Sequence, residues 1–171
     1  QRKAERARRS PSLALIGIYL PCNTPLTHKG EYQLCDRFQA QVISEHHLVL
    51  SIAYRIAETL AKIPNALEGA DLDRLRSKLE FIFAKDLPSG GSLFDGLMDC
   101  VERESLETQR RINDPKTAEV AYNNTYTFSS LVASLLGCVR LMPALAQSHC
   151  MLLIDDAHDL NEHQLRALNS W

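Results

Sequence analysis

Two aliphatic runs bracket a series of helical stripes. Leu13-Ala14-Leu15-Ile16-Gly17-Ile18-Tyr19-Leu20 is apolar almost throughout and is stopped by Pro21. Met151-Leu152-Leu153-Ile154 is a second run, and it ends at Asp155-Asp156. Neither alternates with polar residues, so the pattern predicts strands buried on both faces, of the kind found in parallel sheets covered by helices. Between them, Leu34, Phe38, Val42, Glu45, Val49, Ile52, Ile56, Leu60 and Ile63 recur at helical spacing. Glu45 is the one polar break on that face, and Ser44-Glu45-His46-His47 marks a kink or a division into two helices. Pro64-Asn65 ends the run.

Further helices follow from capping and periodicity. Asp71 is the expected N-cap of a helix carrying Leu72, Leu75, Leu79 and Ile82. Leu87-Pro88-Ser89-Gly90-Gly91-Ser92 is a loop, after which Ser92 with Asp95 opens a helix through Leu97 and Val101 to about Ile112. The second half of that helix, Glu102 to Arg111, is rich in charge and reads as a solvated face. Asn113-Asp114-Pro115 turns the chain. Residues 127–142 form an amphipathic helix with Phe128, Leu131, Val132, Leu135, Leu136, Val139 and Met142 on one side. Asn161 to Trp171 is helical, capped by Asp159 or Asn161, with Leu165 and Leu168 inward.

The order is strand, helices, strand, helix. Two parallel strands need a crossover, and here it would run from Pro21 to Cys150, far beyond the ~10–12 residues such a connection requires. The expected fold is therefore α/β: a partial parallel sheet, which the resemblance described below makes P-loop-type, with strands near 13–20 and 150–155, and a large, mostly helical insertion. Within a single domain spanning 1–171, the first strand takes 12–21, the helical layer 30–142, and the second strand with its following helix 150–171. Whether the two strands are neighbours is not settled by pattern alone.

Composition narrows this little. The chain has 171 residues, 45% hydrophobic and 23% charged, enough for one domain with a core. A net charge of −2 gives no overall pull toward nucleic acid or acidic lipid. No apolar run approaches the ~18–20 residues of a membrane span. The five cysteines, at 22, 35, 100, 138 and 150, form no Cys-x-x-Cys and suggest reduced thiols in a cytoplasmic protein. The sequon Asn123-Asn124-Thr125 is then incidental. Gln1 to Ser10 holds five basic residues, read as a solvated helix end or linker, with a phosphate-contacting arm as the alternative. His46 and His47 lie about 100° apart on a helix, which favours surface or satisfied core positions over a metal pair.

The candidate chemistry is at the tip of the second strand. Open α/β sheets bind ligands beyond the carboxyl ends of their strands, and an acid pair there faces water, a metal or a polar ligand. Leu152-Leu153-Ile154-Asp155-Asp156-Ala157-His158-Asp159-Leu160 resembles the Walker B element of P-loop ATPases. It looks most like AAA+ ATPases related to origin-recognition proteins and signalling ATPases. The resemblance covers Cys150 to Trp171, with weaker support from the first strand. It implies that Asp155 holds Mg²⁺, usually through water, and that Asp156 polarises the water attacking the γ-phosphate of ATP. His158, two residues on, would report the γ-phosphate state or pack at a helix start; Asp159 and His163 read as cap and surface. Many relatives carry Glu in place of Asp156. Asp is one methylene shorter, and a displacement near ~1 Å costs about 10²-fold in rate. Slow hydrolysis, or a coordinating role for Asp156, is the consequence.

A phosphate loop, Gly-x4-Gly-Lys-Ser/Thr, does not occur among these residues. The resemblance puts it upstream of residue 1, and the sensor residue and arginine finger beyond Trp171, so the chain is expected to be an internal piece that does not hydrolyse ATP by itself. AAA+ relatives assemble, commonly as homo-oligomers, and couple turnover to remodelling a nucleic acid or protein client. Two other readings stand beside this one. A non-catalytic helical interaction module would use the face from Leu34 to Ile63, with the acids a solvated strand end. The start of a phosphorelay receiver domain at 150–171 would use the acids for Mg²⁺ and require a later phospho-accepting Asp.

Overall fold

A computed structural model describes residues 15–22, 36–114 and 123–171. The basic run, Leu13 and Ala14 of the first strand, the loop after Cys22, Leu34, Cys35 and Pro115 lie outside the described residues. Strand β1 (Leu15–Pro21) and strand β2 (His149–Asp155) pair in parallel, with Leu15 opposite His149 and Pro21 opposite Asp155. The expected α/β class holds, and the pairing settles the adjacency that pattern alone left open. Between them lie α1 (Arg37–Ala61), α2 (Leu72–Phe83), α3 (Leu93–Asn113), a π-helical turn (Phe128–Val132) and α4 (Ala133–Val139). After β2 a 3₁₀ turn (Ala157–Asp159) leads into α5 (Glu162–Ser170).

The strands are not buried on both faces. Ile16, Ile18 and Leu20 are buried against the helices, whereas Leu15, Tyr19, Met151 and Leu153 are exposed. Period-two side-chain alternation operates even where every residue is apolar. Among the described residues the helices cover one face, so the other face of the runs stays open.

Helix α1 is the spine of the core. It packs against α3, α5, β1 and the π turn. It runs unbroken through Ser44-Glu45-His46-His47, so the expected kink is absent. Ser44, His46 and His47 are buried while Glu45 is half-buried, and Phe38, expected inward, is exposed. Asp36 caps this helix by accepting from the Gln39 amide at 2.8 Å.

Capping expectations hold elsewhere. Asp71 accepts from the Arg74 amide at 3.0 Å at the start of α2, though Leu72 there is exposed. Ser92 and Asp95 form the reciprocal capping box of α3. The helix from 127 begins as a π turn, capped by Thr127 and Ser130, before becoming α4. Phe128 of that turn stacks on Trp171, ring centroids 4.7 Å apart.

The charge-rich half of α3 is not simply solvated. Glu104 and Thr108 are buried. Glu104 accepts from Lys85 at 2.7 Å and from Arg111 at 3.0 Å, so the buried carboxylate is held between two cations. Arg111 also donates to Thr108 Oγ1 at 2.9 Å. Cys22, Cys100 and Cys138 are buried free thiols and Cys150 is an exposed one.

Candidate nucleotide-binding site

The tip of β2 is built from the pairing itself. The Cys22 amide donates to the Asp155 carbonyl at 3.0 Å, continuing the ladder one residue past Pro21. Asp155 therefore ends the strand with fixed backbone. Its side chain shares a sheet face with Tyr19, Met151 and Leu153. Asp155 Oδ2 accepts the Tyr19 hydroxyl at 2.5 Å, and Oδ1 accepts the Asp156 amide at 3.0 Å.

Asp156 then leaves the strand in the left-handed region, at φ 53° and ψ 41°. Asp is one of the few side chains that enters this region readily. The reversal starts the 3₁₀ turn, closed by Asp159 N–H to Asp156 C=O at 2.9 Å. Leu160, buried, anchors the far end. Asn161 caps α5 in a reciprocal box with Gln164, and its Nδ2 donates to Ser44 Oγ on α1 at 3.3 Å. The acid tip is thus clamped on one side by β1 and on the other by the buried start of α5. In α5, Gln164 and Ala167 point inward with Leu168 half-buried, while Leu165 is exposed, contrary to its expected place.

Asp155 and Asp156 both face solvent, and among the described residues neither forms an ion pair with Lys or Arg. Their charge reaches back into the core. Burial pushes the Cys22 thiol up, and Asp156, Asp159 and Asp155 raise it further. His158 is exposed and does not pack at a helix start; its Nε2 lies 3.5 Å from Asp159 Oδ1. His163 is half-buried rather than at the surface. Two hard carboxylates with no Lys or Arg partner among the described residues suit Mg²⁺, which takes one or two carboxylates together with nucleotide phosphates and water. Among the described residues no group of three His, Cys, Asp or Glu could hold a metal on its own.

Tyr19 was not singled out by sequence. Its place beside Asp155 depends on the strand register, and the only signal in the sequence is a lone hydroxyl inside an aliphatic run.

A family model described as ORC-CDC6-like matches residues 1–171. The chain belongs to the ORC-CDC6-like family. No curated protein and no solved structure gave a match. Membership in the ORC-CDC6-like family relates the chain to AAA+ ATPases, and so to nucleotide and Mg²⁺ use at the level of the family. No described helix is long and apolar enough to cross a membrane.

Proposed function

We propose that the chain supplies the Walker B portion of an AAA+ ATP site. Asp155 holds Mg²⁺ through water, and Asp156 orients the water that attacks the γ-phosphate. One observation carries the reading: β1 and β2 pair in parallel and bring both acids, uncompensated by Lys or Arg among the described residues, to the carboxyl edge of the sheet. Family membership supports it over a receiver-domain start, and the pairing supports it over a purely helical module.

The chemistry asked of these residues is modest. Phosphoryl transfer depends mainly on positioning and charge neutralisation, which Mg²⁺ supplies when bound. The protein's part here is to present two carboxylates at the strand tip, that of Asp155 held by donors on both oxygens. The left-handed backbone at Asp156 turns the chain out of the strand direction that Asp155 follows. The shorter acid at 156 fits slow turnover. On the same reading His158, exposed beside Asp159, reports the state of the γ-phosphate.

On this reading residues 1–171 are part of one ATPase domain: strand 12–21, helical layer 30–142, and strand and helix 150–171. The reading requires a phosphate loop, a motif that residues 1–171 do not contain. Assembly with further copies and a nucleic-acid or protein client follow from the same reading.

The test is ATP affinity and turnover of the full polypeptide before and after Asp155→Ala. Loss of Mg²⁺-dependent binding and of turnover is the expected result. Unchanged affinity and unchanged turnover would favour a helical interaction module in which the acids are merely solvated.

A further inference from the structure

The two oxygens of Asp155 have separate donors. One, the Asp156 amide, is local; the other, the Tyr19 hydroxyl, comes from 136 residues away. Parallel register sets Tyr19 opposite Leu153, two residues short of the Pro21–Asp155 pair, so both side chains lie on the open face. Two residues are about 6.6 Å of strand, a gap that the tyrosine side chain closes.

An exposed carboxylate with no such partners rotates among its rotamers. Donors on both oxygens fix its plane. Each oxygen has two acceptor sites, so one on each remains free to face outward. Both donors are neutral groups, which leaves the carboxylate's charge available to a cation. Tyr19 itself is half out of the core at 51% exposure, so its hydroxyl is not there to satisfy a buried group.

We propose that Tyr19 is a positioning residue for Asp155, orienting that carboxylate toward the hydration shell of a nucleotide-bound Mg²⁺. This rests on the nucleotide reading above. Partners that hydrogen-bond a metal-binding carboxylate typically change metal affinity about 10–100-fold when removed. Tyr19 acts entirely through Asp155 and touches neither cation nor nucleotide.

The experiment measures Mn²⁺ affinity of the full polypeptide saturated with ATP, from the free-Mn²⁺ electron paramagnetic resonance signal, for wild type, Tyr19→Phe, Asp155→Asn and the double variant. Tyr19→Phe is expected to weaken Mn²⁺ binding at least about 10-fold. Its thermal midpoint and its ATP affinity in EDTA should match wild type, and it should add nothing in the Asp155→Asn background. A Tyr19→Phe protein with wild-type Mn²⁺ affinity, beside an Asp155→Asn protein that has lost it, overturns the role of Tyr19 and leaves the nucleotide reading standing. Unchanged Mn²⁺ affinity in Asp155→Asn, or no ATP binding by wild type, overturns both. A lowered midpoint or weakened metal-free ATP binding in Tyr19→Phe assigns the residue a structural role instead.

Discussion

The backbone N–H of Tyr126 donates to His46 Nδ1 at 2.8 Å, joining the segment before the π turn to the middle of α1 across 80 residues. The same ring lies 2.9 Å from Thr108 Oγ1 through Nε2. Because Nδ1 accepts, the proton sits on Nε2 and is given to Thr108. A second proton would turn Nδ1 into a donor facing a donor. Burial, followed by the charges of His47 and Arg111, holds the His46 pKa down to about 3. His46 is therefore a neutral core residue that links three segments, α1, α3 and the 123–127 approach to the π turn.

Acid should loosen this joint. The folded-state pKa is below the ordinary value of 6.5, so the unfolded chain binds the proton more tightly. Stability contributed by neutral His46 is complete above about pH 6.5 and is lost as pH falls toward 3, by up to about 1.4 kcal/mol per pH unit. Urea unfolding across that window should show a shallower pH dependence for His46→Asn than for wild type. Equal slopes would mean that the ring is not buried neutral.

Glu104 and Lys85 should differ sharply although they form one ion pair. The Glu104 side chain is 5% exposed and carries two cations, whereas Lys85 is 38% exposed. Glu104→Ala leaves Arg111 facing a buried site without its carboxylate and should cost on the order of 3 kcal/mol. Lys85→Ala, at a wetter position, should cost about 1 kcal/mol or less. Chemical denaturation of the two variants reads the difference directly.

Core and surface apolar residues offer a second contrast. Leu75 is fully buried on α2, and Phe81, on the same helix, is 87% exposed. Leu75→Ala should lose about 2–5 kcal/mol. Phe81→Ser should stay within about 0.5 kcal/mol of wild type. A large loss from Phe81→Ser would reveal a contact that this burial pattern does not contain.

Asp156 separates stability from chemistry. Its positive φ is a conformation that Gly adopts without penalty and a β-branched residue resists. Asp156→Gly should melt at or slightly above the wild-type temperature, and Asp156→Val well below it. If Asp156 orients the attacking water, both should still bind ATP while turning it over far more slowly.

Much of the fold was legible because local chemistry and global packing agree. Asp71, Ser92 and Asn161 cap the helices they precede in sequence, and the aliphatic runs do become paired strands. Misreadings came where the partner was remote. Glu104 looks like a surface acid until Lys85 and Arg111 converge on it. His46 and His47 look like a helix break until Thr108 and Tyr126 supply partners for His46. An all-apolar run does not say how many layers cover it, so the open face holding Leu15, Tyr19, Met151 and Leu153 was hidden. At the candidate site the acids announced themselves by type and spacing. Tyr19 did not, since its hydrogen bond exists only once the register of β1 against β2 is known.

If the chain completes a nucleotide site as proposed, Asp155 faces the cation of a bound nucleotide. A crystal structure of the full polypeptide with Mg²⁺ and a non-hydrolysable ATP analogue measures this directly. Mg²⁺ is expected about 4 Å from an Asp155 oxygen, one water between them, at the carboxyl edge of β1 and β2. Nucleotide and cation bound elsewhere, with Asp155 and Asp156 in bulk water, would rule out the proposed site.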